Sequence, residues 1–252
     1  MNFTRIMLWT AAFCLTTLPV FAQKAGDWYI VKKNNERVDG VRITYDPAAG
    51  YRVFQAESGI STTVRRDDVQ SVVTPKPAEI AALDKSLEAG AADAVLAAAP
   101  GLMTKYQYLG WSAYLRYLEG MAKLTKKDGD GAMQAFKAGL ENPDQFEAQL
   151  TRGRIQVLLL QQKNQEVLSL IDKMIADAKS DREAAFAFNT RARAYAAMEN
   201  RKKDAVREYL KTLLATKADQ APTERDEARR AAVALLKEMG DNAAAADVEK
   251  IK

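Results

Sequence analysis

Two arginine–amide pairs are the residues of this chain best suited to hold another molecule: Arg152 with Gln156, and Asn189 with Arg193. The spacing of four within each pair brings both side chains to one face of a helix. A guanidinium beside a primary amide can hold a carboxylate, or the backbone of an extended peptide, through charge-assisted hydrogen bonds. Covalent chemistry is less well provided for. The sequence has no histidine, and its one cysteine, Cys14, lies in an N-terminal apolar segment. With that segment removed, disulfides, Cys or His nucleophile–base pairs and zinc sites of the His/Cys kind are excluded. The adjacent acids Asp67/Asp68 and Asp226/Glu227 point to different sides of a strand or helix and do not converge on one substrate. Asp128-Gly129-Asp130-Gly131 starts like a calcium loop, but Ala132 stands at the next ligand position and no glutamate closes it, so it reads as a turn between helices. The chain is therefore expected to be no enzyme and to carry no cofactor or metal.

Both pairs belong to a helical phrase spoken three times between Ala113 and Leu213. Gly120, Ala132, Phe136 and Gly139/Leu140 are followed by Val167, Ile171 and Met174/Ile175, then by Ala205, Tyr209 and Thr212/Leu213. A period in the middle thirties is the mark of stacked helix-turn-helix units. The pattern resembles the tetratricopeptide repeat, most closely in the first and third units; the second keeps only apolar character. The resemblance implies an α-solenoid in which the first helix of each pair lines a concave groove. Register by Gly120 then puts Tyr114, Tyr117 and Met121 on the groove face, with Arg152, Gln156, Asn189 and Arg193 on the neighbouring first helices. In that arrangement the polar residues hold a partner's carboxylate or backbone while the tyrosines take an apolar side chain. Taken by themselves, Tyr106, Tyr108, Tyr114 and Tyr117 read first as core and inter-helix packing and only second as a ligand box.

The helical domain is expected over 78–252. Its first helix runs from Glu79 to Ala89, and Asp93 caps a second that ends before Pro100. A long aromatic segment, Leu102 to Leu124, follows, either as one helix or as two broken near Gly110. Then come 146–161 with 165–177, 182–198 with 202–216, and a shorter Ala-rich cap from Thr223 to Ile251. Thr74-Pro75-Lys76-Pro77 is a linker, because two prolines in three residues continue neither strand nor helix. Before it, 27–73 changes to a period of two in five short runs, Trp28–Val31, Val38–Tyr45, Tyr51–Phe54, Ile60–Arg65 and Val69–Val73. So few strands hide an apolar face only by curling, which predicts a small β-barrel; the order of features resembles SH3-like or Sm-like barrels. Gly40 supplies a bend.

Residues 1–22 read as a signal peptide, with Arg5, the apolar run Ile6–Leu18 and a Val20-Phe21-Ala22 cleavage site. Phe13 before Cys14 spoils a lipidation motif. The protein is expected to be exported, periplasmic or secreted, without stable membrane insertion after cleavage. A net charge of +4 is small for this length and asks for no nucleic-acid partner. The leading expectation is an envelope binding or assembly module that takes a protein or peptide in its repeat groove, with the barrel open to self-association. A carbohydrate or peptidoglycan binder is the alternative, and a carboxylate-based hydrolase the third reading. N-terminal sequencing of exported material should begin at Gln23; a start at Met1, or a lipidated Cys14, contradicts the signal-peptide reading.

Overall fold

The computed structural model describes residues 28–56 and 59–251, so the expected signal segment and Cys14 lie outside the described residues. The chain divides between Pro75 and Lys76 into two compact units. Among the described residues it is mainly α-helical, with a small N-terminal strand region.

The strand unit contains β1 (Trp28–Lys32), β2 (Arg37–Gly40), β3 (Arg42–Asp46), β4 (Gly50–Phe54), β5 (Ser61–Val64), a 3-10 turn at Arg66–Asp68, and β6 (Val69–Val73). They form two three-stranded antiparallel sheets, β2-β1-β6 and β3-β4-β5. Ile30, Ile43, Val53, Val64 and Val72 are the buried apolar centre. The run expected as one strand, Val38–Tyr45, bends after Gly40 and gives one half to each sheet. Glycine is required there by closeness: a Cβ on Gly40 would lie 2.6 Å from Val53 Cγ1 and 2.7 Å from the Phe54 carbonyl oxygen. The expected barrel does not close. β5 pairs only with β4, and the 3-10 turn carries the chain on to β6, which pairs with β1; no ladder joins β5 to β6 among the described residues.

The helical unit is a run of five antiparallel hairpins. They are α1 (Ala78–Glu88) with α2 (Ala92–Tyr106), α3 (Ser112–Thr125) with α4 (Gly129–Leu140), α5 (Glu147–Leu160) with α6 (Asn164–Asp177), α7 (Asp181–Ala196) with α8 (Lys202–Ala215), and α9 (Pro222–Glu238) with α10 (Asn242–Glu249). Each hairpin turns on one left-handed residue: Gly90, Lys127, Gln162, Asn200 and Gly240, with φ of 75, 62, 57, 59 and 82°. In four of the five the turn is closed the same way. At the first helix pair with a non-glycine, the Lys127 N–H donates to the Leu124 carbonyl and the Asp128 N–H to that of Lys123, both at 2.9 Å. The same two bonds recur at Gly90/Ala91, Gln162/Lys163 and Gly240/Asp241, satisfying carbonyls that a helix end otherwise leaves open. Asp128 then caps the next helix by accepting from the Gly131 N–H at 2.9 Å, as Asp241 does from Ala244 at 3.0 Å.

One helix runs further than its sequence suggests. α2 continues through Pro100 to Tyr106 although proline removes a helix donor. Val95 and Ala99 before it are buried, and Leu102 and Met103 beyond it pack on the same core, so tertiary packing carries the helix past its weak point. A break near Gly110, with φ of 77°, separates α2 from α3, the second of the two expected arrangements.

Phe136, fully buried on α4, fixes the distance between α3 and α5. A Cβ on Gly120 of α3 would lie 2.4 Å from its Cε1, and one on Gly153 of α5 2.5 Å from the same atom. The ring therefore rests on bare backbone on both sides. Gly153→Ala gains up to about 1 kcal/mol of helix propensity but overpacks this seat, which typically costs about 1–3 kcal/mol. Chemical denaturation should show net destabilisation. Gly101→Ala on α2, where a Cβ meets nothing within 4 Å, should instead stabilise; a shift of the same sign in both variants contradicts the packing described.

Candidate docking groove

α3 and α5 lie side by side and point the same way, because residues late in one meet residues late in the other. Phe146, just before α5, packs on Tyr114 at the start of α3, ring centroids 4.9 Å apart. Further along, Met121, Leu124 and Thr125 of α3 and Gln156, Leu159 and Leu160 of α5 line a shallow, open cleft of about 440 Å³. Leu160, at its edge, is 73% exposed.

Arg152 stands one turn before Gln156, against a ring of α7. Its guanidinium carbon lies 4.5 Å from the Phe186 ring centroid on α7. Its charge also reaches Tyr117, whose phenol is pushed up by burial foremost and pulled back by Arg152. Arg152 makes no ion pair or hydrogen bond among the described residues, and its Nε is buried without an acceptor; the Oε1 of Gln149, one turn earlier, is likewise buried without a donor. The exposed amide of Gln156 is also free of hydrogen bonds among the described residues. A half-buried guanidinium flanked by two amides is able to bind a carboxylate and adjacent backbone.

The tyrosines are deeper than a sugar-stacking platform requires. The Tyr114 hydroxyl donates to Asp84 Oδ1 at 2.7 Å and accepts from Lys76 Nζ at 3.1 Å, and Lys76 pairs with Asp84 Oδ2 at 2.7 Å. Burial depresses the Lys76 ammonium, but its bonds to Asp84 and Tyr114 outweigh that and hold it above its ordinary value. The Tyr114 ring also packs on Trp111 and Tyr117, at 5.7 Å in each case. Tyr117 packs on Phe136.

Asn189 and Arg193 are not brought to this cleft. Asn189 is 1% exposed; its Nδ2 donates to the Glu224 carbonyl at 2.7 Å and its Oδ1 accepts from the Thr212 hydroxyl at 2.7 Å. It joins α7 to α8 and α9 and has no hydrogen-bonding capacity turned to solvent. Arg193 is paired with Glu227 of α9, its Nε 2.8 Å from Oε1. The reason is register. Tyr117 and Arg152 stand equally far before the left-handed residues Lys127 and Gln162, whereas Asn189 stands one residue further from Asn200. One residue is about 100° of helix, enough to rotate Asn189 and Arg193 from the groove onto the flank that meets α9.

The polar groups around Asn189 are closed in the same way. Arg225, 5% exposed, donates from α9 to the Leu213 carbonyl and to that of Thr216 at 2.5 Å, capping the end of α8. The buried carboxylate of Glu208 is held by Arg191 and Lys211, each at 2.7 Å. Neither group is left for a ligand. No group of three or more His, Cys, Asp or Glu is placed to hold a metal ion among the described residues, and none of their helices is long and apolar enough to cross a membrane.

Sequence reasoning missed Leu124, Leu159, Leu160 and Phe186. The signal for the leucines was present: Val157-Leu158-Leu159-Leu160 stays apolar where a half-buried helix should turn polar. A second depression, about 580 Å³, lies at the α7–α8 turn and is lined by Met198, Lys202, Lys203 and Met239 among others. Comparison with protein-family models, with curated proteins and with solved structures found no match to this chain. Asn189→Ala should cost about 1–3 kcal/mol, since it leaves buried partners unsatisfied. Arg193→Ala, which breaks an exposed pair, should cost under about 1 kcal/mol. Thermal and urea denaturation of both variants check this; equal losses would return Asn189 to the surface.

Proposed function

We propose that the helical unit is a non-catalytic docking module of tetratricopeptide-like build, which receives a protein or peptide partner across the exposed face of α3 and α5. One observation carries the reading: half-buried Arg152 makes no ion pair or hydrogen bond among the described residues and stands one turn from an apolar cleft. A half-buried charge that the fold does not use is costly to keep, and an exposed apolar cleft beside it supplies the second element of a recognition surface. The four like turns and the seat of Phe136 between Gly120 and Gly153 support the tetratricopeptide-like build. The bent β2–β3 segment, shared between two sheets, supports a small SH3-like or Sm-like arrangement for the strand unit, as a second docking or self-association element. Export to the envelope remains part of the proposal and rests on residues 1–22.

The carbohydrate reading has less to stand on, because Tyr114 and Tyr117 are packed into the helical core. Affinity capture with the full chain from an envelope extract supplies the partner, and titration then tests the site. Arg152→Ala should weaken binding tenfold or more, since a charge-assisted bond to a desolvated group contributes about 1.5–3 kcal/mol. Its melting curve should be almost unchanged, the lost contact to Phe186 costing about 0.5–1 kcal/mol. Lys203→Ala controls for loss of positive charge. Equal affinity of all three proteins would show that the partner does not use this face.

A further inference from the structure

The strand unit carries a surface of its own. We infer that the outer face of β3-β4-β5 binds the surface of an anionic phospholipid bilayer, with three arginines on the headgroup phosphates and two aliphatic side chains reaching the acyl boundary. This inference is independent of the partner proposed for α3 and α5.

Strand register puts the arginines in a row. Ile43, Val53 and Val64 are buried, so the residues alternating with them face outward. Arg42 of β3 stands opposite Phe54 of β4, and Arg52, two residues before Phe54, stands between Thr44 and Thr63. Arg65 follows Val64 in extended backbone, beside Gly50, where an added Cβ would lie 3.2 Å from the Arg65 Cα. Each step from Arg42 to Arg52 to Arg65 is therefore one strand across, about 4.8 Å, and two residues along, about 6.8 Å, which spaces the three evenly at about 8 Å. All three are exposed, and none makes a side-chain ion pair or hydrogen bond among the described residues. Arg42 stacks on the Phe54 ring, 3.9 Å from its centroid. Asp46, the one acid in β3, β4 and β5, accepts from the Ala48 and Ala49 N–H groups at 2.8 and 2.9 Å, which hold its carboxyl below the ordinary range. The face thus keeps an excess of positive charge with no acceptor of its own.

Guanidinium groups in such a row suit phosphates, which they bind bidentately, and the neighbouring apolar residues decide whose phosphates. Val41 and Ile60, 47% and 69% exposed, are the two exposed large apolar side chains of the strand unit among the described residues. Both lie at the Arg42 end of the face: the Val41 N–H donates to the Phe54 carbonyl at 2.7 Å, and the Gln55 N–H to the Ile60 carbonyl at 2.9 Å. A soluble polyanion offers these side chains nothing. A single-stranded nucleic acid needs an open ring to stack on, and Arg42 covers that of Phe54. A bilayer surface takes both parts of the face, arginine at the phosphates and aliphatic groups just beneath them.

The test is sedimentation of the full chain with vesicles of phosphatidylcholine, with and without phosphatidylglycerol. The neutral vesicles measure whatever the apolar segment at residues 6–18 contributes. Binding to the anionic vesicles should exceed that baseline, and the excess should fall as salt is raised. The double variant Arg52→Gln/Arg65→Gln should weaken the excess about 25-fold, about fivefold for each charge, with an unchanged melting curve. Ile60→Ser should weaken it about fivefold. Arg37→Gln, which takes the same charge from β2 in the other sheet, should leave it unchanged. Equal sedimentation with neutral and anionic vesicles, or indifference to the two arginines, overturns the inference. A loss with the arginine pair and none with Ile60→Ser overturns it too, because the face would then be a site for a soluble polyanion such as inorganic polyphosphate.

Discussion

Everything on the α3–α5 face depends on where Phe136 sits. Its ring fills the space that two side chains would occupy if Gly120 and Gly153 were any other residue. Close-packed interiors do not yield gradually to an added methyl group, so the ring acts as a spacer of fixed thickness between α3, α4 and α5. The cleft opens one turn further along those same two helices, where Leu124 and Gln156 stand four and three residues beyond the two glycines. Its width is therefore a consequence of a core contact. A third glycine, Gly139, repeats the device one turn along α4, where a Cβ would lie 2.5 Å from Leu150 Cδ2.

The two ends of the helical unit treat polar groups differently. Around α7, α8 and α9 most buried polar side chains are closed: Asn189 spends both ends of its amide, Arg225 caps the carbonyls of α8, and Glu208 takes two cations, while Glu224 keeps one buried oxygen without a partner. Buried polar groups satisfied in this way specify one arrangement of neighbours. At α5 the closure stops. Gln149 and Arg152 keep buried atoms without partners, and apolar Leu160 faces water. The same fold that satisfies its polar groups in one hairpin leaves them open in another, which is the expected contrast between a part that only holds shape and a part that meets something else.

Much of the helical unit was legible because Gly120, Ala132 and Phe136 carry packing information in their types as well as their spacing. The turns were harder to see. Gly90 and Gly240 announce a left-handed residue, but Lys127, Gln162 and Asn200 adopt the same conformation without the glycine that marks it, the first two held there by the bonds of the turn. Without those three markers the register of α7 slipped by one position, and Asn189 and Arg193 were assigned to a face they do not occupy. Arg152 and Gln156 survived because α5 and α3 are counted from turns of equal length. The strand region was legible in its periods; its failure to close was not, since the path from β5 to β6 depends on a 3-10 turn at Arg66–Asp68 that alternation cannot reveal. Pro100 misled in the opposite direction, a local signal overruled by Val95, Ala99, Leu102 and Met103 on a shared core.

The account places docking at the cleft beside Met121 and not at the depression beside Met198 and Met239, and methionine methyl groups report on both at once. The most direct measurement is a methyl spectrum of the full chain labelled at its methionines, recorded while the captured partner is added. The Met121 resonance should shift or broaden in proportion to occupancy while those of Met198 and Met239 stay in place. Movement of Met198 and Met239 with Met121 unchanged would contradict the account, because the partner would then sit at the α7–α8 turn, where the fold leaves no guanidinium waiting for it.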